Sequence, residues 1–243
     1  MPDNSSNIVI DIGNSSLKVG QFVDSELVAD WNCHSTNDVV ELVSKLQVKA
    51  GIVCSVGMDT QEIVYKLKPL EINILTPSTP IPFNNHYNTK NTLGLDRIAA
   101  LAGVEKINSG KNNLVIDIGS CITYDFLDKD KNYHGGSISP GVNLRFRAMH
   151  DYTQRLPLIT NYQEAKLIGN TTREAMMSGV MIGITAELDG IISHYQIKWP
   201  DLEVIMCGGG LNSFESKLKA HIFASPKLVL IGLNRILEYN EKT

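Results

Sequence analysis

Several short stretches of this sequence combine carboxylates, glycines and hydroxyls at spacings that suit phosphate chemistry. The first is Asp11-Ile12-Gly13-Asn14-Ser15-Ser16-Leu17-Lys18. An Asp at the end of a buried strand is costly unless something pairs with it. Gly13 permits a sharp turn and lets a ligand approach the backbone. Asn14, Ser15 and Ser16 offer amides and hydroxyls to phosphate oxygens, and Lys18 adds a point charge. Such a hairpin would hold a phosphate, with Asp11 aimed at a cation or its waters; an ordinary β-turn is the plain alternative. The pattern recurs at Asp117-Ile118-Gly119-Ser120-Cys121-Ile122-Thr123, which weakens that alternative. One hairpin can grip one end of a triphosphate and a second the other. Phosphoryl transfer depends on positioning and charge neutralisation rather than on covalent participation.

Gly94-Leu95-Asp96-Arg97 opens an apolar pattern that suits a helix. Asp96 in its first turn, at the positive end, could accept a proton from a substrate hydroxyl, and Arg97 could fork onto a substrate carboxylate. The plainer reading is a helix cap with a surface charge beside it. Gly135-Gly136-Ser137-Ile138-Ser139-Pro140-Gly141 reads as a loop before a helix whose amides could face an anion, or equally as a structural tight turn. Cys207-Gly208-Gly209-Gly210 follows an apolar strand pattern and would admit a flat ligand such as adenine against the backbone, or simply tighten the turn. The register of a dinucleotide fingerprint is absent, as are a P-loop and a serine-hydrolase elbow. The six histidines show no ligand spacing.

These stretches need elements to hold them. The two Asp-Ile-Gly copies each end a β-branched run and precede a second strand pattern, Leu17 to Val23 and Ile122 to Leu127, closed by turns at residues 24–25 and 128–131. That is a repeat on the scale of half the chain. Helices are expected at 38–45 and 60–67 around a strand at 50–55, with another strand at 71–75. The second half predicts a helix over 171–195 whose Gly179, Gly183 and Gly190 suggest close packing. A strand at 202–207, a helix at 212–220, a strand at 227–230 and a helix at 233–239 follow. The stretch from Thr76 to Thr92 reads as a Pro-rich and then polar loop. Hairpins followed by strand–helix alternation imply mixed sheets with helices on their faces. The expected fold is α/β, a ribonuclease-H-like pair of lobes, 1–110 and 111–243, around a cleft.

The chain of 243 residues carries a net charge of −4, and its lysines and arginines form no run longer than a pair, so no nucleic-acid partner is expected. The N-terminus lacks a secretory pattern, and no apolar run is expected to span a membrane. The four cysteines are scattered and read as small buried residues in a reducing cytosol.

In order, DIGNSSLK, Tyr87 seven residues before GLDR, DIGSCITYD, GGSISPG, NTTREAMMSG and CGGG resemble the motifs of type III pantothenate kinases, from Ile8 to about Asn212. The resemblance implies an actin/hexokinase-like fold and a cytoplasmic homodimer that phosphorylates pantothenate with ATP and Mg²⁺ to 4′-phosphopantothenate, the first step of coenzyme A synthesis. It implies that residues 11–18 and Ser120 contact ATP and that Asp96 is the base. It further implies that Tyr87, Gly94, Leu95, Asp96 and Arg97 contact pantothenate, with Arg97 on its carboxylate. Asp117 would sit at a potassium or ammonium site, and Thr172 would contact substrate across the dimer interface, in a register ambiguous with Thr171. The family usually has Thr where Ser15 and Ser120 stand, and Ala at Cys121; both serines keep a hydroxyl. A kinase of the same fold acting on another small alcohol, or a non-catalytic regulatory homologue, are the competing readings.

Overall fold

A computed structural model describes residues 6–13, 17–55, 60–162 and 165–241. Contacts divide the chain into two compact units: Met1–Gly110, Leu127–Gly135 and Lys227–Thr243 form one, Lys111–Phe126 and Gly136–Pro226 the other. The break after residue 110 falls where the repeat suggests. The tip of the second hairpin and the C-terminal segment, however, group with the first unit.

The first unit starts with β1 (Ser6–Ile12), buried along its whole length. β2 (Leu17–Val23) runs antiparallel to it, and β3 (Glu26–Cys33) antiparallel to β2. Asp24 and Ser25 join β2 to β3 with φ of 50° and 69°, the left-handed pair that a two-residue hairpin matching strand twist requires. A capping box at Ser35 and Asp38 starts α1 (Thr36–Ser44). Next come β4 (Val48–Ser55), parallel to β1, α2 (Gln61–Lys66) and β5 (Glu71–Ile74), parallel to β4. The sheet order is β3-β2-β1-β4-β5. A short strand β6 (Asn84–Asn85), a 3₁₀ turn (Lys90–Thr92) and α3 (Leu95–Ile107) follow.

The repeat then restarts with β7 (Asn113–Ile118), β8 (Cys121–Leu127) and β9 (Asn132–Pro140), followed by α4 (Val142–Asp151) and α5 (Thr172–Met177). A π-helical turn (Ser178–Ile182) leads into α6 (Gly183–Lys198), β10 (Glu203–Cys207), two 3₁₀ turns (Leu211–Ser213, Glu215–Lys217), β11 (Phe223–Ala224) and α7 (Leu228–Glu241). The second sheet has the order β11-β10-β7-β8-β9-β6. Without β6 this is the first sheet's order, with β7, β8, β9, β10 and β11 in the places of β1 to β5. The chain is therefore a duplicated ribonuclease-H-like α/β fold.

Four expectations are corrected. Residues 227–230 are helical, because Leu228, Leu230, Leu233, Ile236 and Leu237 all bury on one helix; an apolar run this short fits either period. Residues 212–220 form 3₁₀ turns around the buried Phe214 instead of a helix. Residues 132–140 are strand, so only Gly141 caps α4. β3 is an additional strand whose Leu27, Ala29, Trp31 and Cys33 alternate inward. Two surface expectations also change. Cys33, Cys54 and Cys207 are buried, but Cys121 is exposed. The run Thr172–Lys198 is long and apolar enough to cross a membrane by length and composition alone. Its Met176, Val180, Met181, Ile184, Leu188 and Ile192 instead pack into the second unit's core.

Glycine governs two other contacts. A Cβ on Gly232 would lie 1.7 Å from the Ala99 carbonyl oxygen, and one on Gly103 2.4 Å from that of Leu228, so α3 and α7 touch backbone to backbone. By contrast, a Cβ on Gly179, Gly183 or Gly190 would meet nothing within 4 Å among the described residues. On α3, the buried Glu105 accepts from Arg235 Nε of α7 and from Lys131 Nζ of the β8–β9 turn, both at 2.8 Å. Burial pushes its carboxyl pKa up, but the two cations outweigh burial and hold it below the usual range. Gly232→Ala should force α3 and α7 apart and destabilise the protein by about 3 kcal/mol, the upper range for overpacking against rigid backbone. Chemical denaturation checks this, and an unchanged midpoint would refute the close contact.

Candidate active site

In the first unit, Asp11 is the penultimate residue of β1. It pairs in register with Lys18 of β2 on one side and Cys54 of β4 on the other. It is buried, with Gly13 half-buried beyond it. Asn14, Ser15 and Ser16 lie outside the described residues. Asp96 occupies the first turn of α3, and its Oδ1 accepts from the Arg97 amide at 2.9 Å. Both carboxylates act on one group: burial first, then Asp11, then Asp96, push the Cys54 thiol far above its usual range, so it stays neutral. Two carboxylates around a neutral thiol make a place where positive charge is favoured.

Gly94 makes the position of Asp96 possible. A Cβ there would stand 2.4 Å from Asp96 Oδ1. Leu95 is half-buried, whereas Arg97 is only 6% exposed, which overturns the surface-charge reading. Its Nη2 donates to the Tyr133 hydroxyl at 3.1 Å, and its guanidinium lies 5.7 Å from the centre of the Tyr87 ring. Tyr87 in turn stacks on Tyr133 with centroids 6.0 Å apart and planes 13° apart. The structure thus brings Tyr87, Gly94, Asp96 and Arg97 together. Tyr133 carried no sequence signal, because it reaches this place through β6–β9 pairing, where Asn85 is its register partner.

In the second unit three glycine-bearing motifs converge on Asp117. Gly208 has φ of 90°, and a Cβ on it would lie 2.2 Å from Asp117 Oδ1 and 2.6 Å from the Ile118 carbonyl oxygen. Gly210 N donates to that carbonyl at 2.8 Å. Gly141 N donates to the Ser120 carbonyl at 3.0 Å, and a Cβ on Gly141 would press on the Gly119 and Ser120 carbonyls at 2.4 and 2.7 Å. Ser120 itself is exposed. The strand Gly135–Pro140 is held from behind by Glu187 of α6, whose Oε1 accepts from Tyr124 at 2.9 Å and from Ser139, while Arg145 pairs with its Oε2. Burial raises the Glu187 pKa, and these three donors more than offset it, so it stays ionised. A charged residue inside an apolar helical run was the available sign of this buried network.

Thr171 is the N-cap of α5, its hydroxyl accepting from the Glu174 amide at 3.2 Å. Thr172, one residue on, is exposed, so the capping role falls to Thr171. Among the described residues no group of three His, Cys, Asp or Glu side chains is arranged to hold a metal ion.

A sequence profile described as type III pantothenate kinase matches residues 7–194. The type III pantothenate kinase of Phocaeicola vulgatus is 43% identical over 97% of this chain and 99% of its own. That of Bacteroides fragilis is 42% identical over 96% and 98%. Among solved structures, the activator of 2-hydroxyisocaproyl-CoA dehydratase from Clostridium difficile, with bound ADPNP, superposes with a TM-score of 0.54 at 13% identity, covering 98% of each chain. This last likeness is one of fold.

Gly94→Ala should leave the melting temperature within a few degrees, because the group displaced is the end of the Asp96 side chain. Turnover should nevertheless fall on the order of 10²-fold, the scale of an ångström's misplacement at a reacting group. Unchanged turnover in a steady-state assay would show that this carboxylate position does not matter.

Proposed function

This chain belongs to the type III pantothenate kinase family, and we propose that Asp96 is the base of its reaction and Arg97 the partner of the substrate carboxylate. The activity is ATP-dependent phosphorylation of pantothenate in coenzyme A synthesis. The observation that carries the residue assignment is the adjacency of Asp96, cleared by Gly94, to the buried Arg97 beside Tyr87. In this reading the planar Arg97 fork pairs with the pantothenate carboxylate, and Tyr87 and Leu95 line the same substrate. The pantothenate hydroxyl oxygen attacks the γ-phosphorus while its proton passes to an Asp96 carboxylate oxygen. The bond from the γ-phosphorus to the bridging oxygen breaks, and ADP leaves with that electron pair.

ATP contacts are assigned to residues of each Asp-tipped turn. Ile12, Gly13 and Lys18 lie at the first turn, Gly119 and Ser120 at the second. Asp11 offers the hard carboxylate oxygen that Mg²⁺ prefers, and the Asp11–Asp96 surroundings of Cys54 favour positive charge; the ion would neutralise phosphate charge. Asp117 Oδ1 and the Ile118 carbonyl lie together against Gly208, and such oxygen donors suit potassium or ammonium. These residues would hold that ion at the second turn. A pantothenate phosphorylation assay tests the assignments together. Asp96→Asn should lower turnover by a factor on the order of 10²–10⁴, as for a lost general base. The parent should run faster in potassium than in sodium-only buffer. A fully active Asp96→Asn variant rejects the base, and equal rates in the two buffers reject the cation.

The active form is proposed to be a cytoplasmic homodimer. Along the run Thr172–Lys198 the residues Thr172, Ala175, Gly179, Ala186 and Gly190 are exposed. Such small side chains let a second helix approach closely. Leu167 and Ile168, 75% and 82% exposed, stand just before this run. Thr172 would then face the partner's substrate. Light scattering at micromolar concentration should give twice the chain mass, and a stable monomer with full activity would exclude the dimer as the working form.

A further inference from the structure

We infer that Tyr133 is a positioning residue for substrate carboxylate recognition: its hydroxyl fixes one arm of the Arg97 guanidinium, and its ring fixes the Tyr87 face over which that guanidinium lies. The inference rests on the reading of Arg97 as the carboxylate partner. It goes beyond that reading in assigning a selectivity role to a residue that touches Arg97 and Tyr87.

Tyr133 is fully buried in β9. Two rings and the Arg97 guanidinium meet its side chain. The Phe83 ring meets it edge-on, with centroids 6.3 Å apart and planes at 80°. Tyr87 stacks on its face, and Arg97 Nη2 donates to its oxygen at 3.1 Å. The backbone holds the same geometry, because Tyr133 O accepts from His86 N at 3.1 Å, one residue before Tyr87. Gly135, at φ of 97°, lies beside the Tyr87 ring, which a Cβ there would meet at 3.5 Å, an ordinary contact distance.

A guanidinium presents a flat, two-pronged donor face, and bidentate pairing with a carboxylate demands that its plane be set beforehand. An arginine side chain has several rotatable bonds, and ordering them on binding costs affinity. A hydroxyl on Nη2 and an aromatic face 5.7 Å from the guanidinium remove most of that freedom before the substrate arrives. The inferred effect of the hydroxyl runs through Arg97, so it should appear with a carboxylate substrate and vanish with a neutral one.

The test compares pantothenate with its analogue in which the carboxylate is reduced to a primary alcohol. Tyr133→Phe keeps the ring and its stacking and removes only the hydroxyl. Its KM for pantothenate should rise about five- to tenfold, the scale of one typical intramolecular hydrogen bond. Its kcat should stay within about twofold of the parent, because no group at the reacting hydroxyl is touched. The KM for the alcohol analogue should not move, and Tyr133→Phe should add nothing to Arg97→Met. Phe83→Leu serves as the packing control and should lower the melting temperature without changing the preference for the carboxylate. Ligand-induced shifts in melting temperature give the same comparison for a variant too weak to turn over.

Equal rises in KM for both compounds would overturn the inference, as would a fall in kcat at constant KM. If Arg97→Met abolishes the carboxylate preference and Tyr133→Phe leaves it intact, only the role of Tyr133 fails. If Arg97→Met leaves the preference intact, the assignment of Arg97 fails, and the inference fails with it.

Discussion

The backbone-to-backbone contact between α3 and α7 fixes where the first unit's chemistry can stand. Gly103 and Gly232 remove the two side chains that would hold the helices apart. The axis of α3 is thereby set against an element from the far end of the sequence, and Asp96 and Arg97 project from its first turn. The Glu105–Arg235 pair fastens the same two helices, and Lys131 adds the β8–β9 turn to the group. One helix is thus tied to the C-terminal segment and to the strand that carries Tyr133. Interactions well behind the site set the register of its side chains.

This arrangement explains what could be read from the sequence. Asp11, Asp96, Arg97 and Asp117 stand in local signatures: a strand end with a following glycine, or a helix start after a glycine. Spacing exposes such signatures, because the residues concerned are neighbours along the chain. The duplication was legible for the same reason, since each copy is a continuous strand–turn–strand unit. Tyr133 was not legible. Its partners Phe83, Tyr87 and Arg97 lie 36 to 50 residues away, and the pairing of β6 with β9 that joins them involves two residue pairs. The start of α7 failed differently. Leu228 to Leu230 fit a strand as well as a helix, and only the contact with α3 selects the helix.

Glycine illustrates the same limit. Gly94, Gly208 and Gly232 are each required by an atom less than 3 Å from where a Cβ would be. Gly179, Gly183 and Gly190 have open space there. The sequence suggested close packing for the second group, because helical glycines at such spacing often allow it. Among the described residues nothing lies within 4 Å of where a Cβ on these three would stand.

The duplication also carries a less obvious regularity. In each half the penultimate Asp of the first strand lies in register with a cysteine of the adjacent parallel strand, Asp11 with Cys54 and Asp117 with Cys207. Both cysteines are buried and unbridged. A carboxylate at a strand end needs a neighbour that is small, so that a cation or phosphate can approach, and uncharged, so that no fixed base or acid competes for it. A buried thiol meets both needs, and burial with the nearby carboxylates keeps the Cys54 proton in place. The two halves then diverge beyond this shared pair. In the second, Gly208 follows with a left-handed φ and lets Asp117 Oδ1 lie where a Cβ would stand. In the first, Asp96 brings a second carboxylate to the same thiol. One repeated Asp–Cys register thus stands in different surroundings in each half.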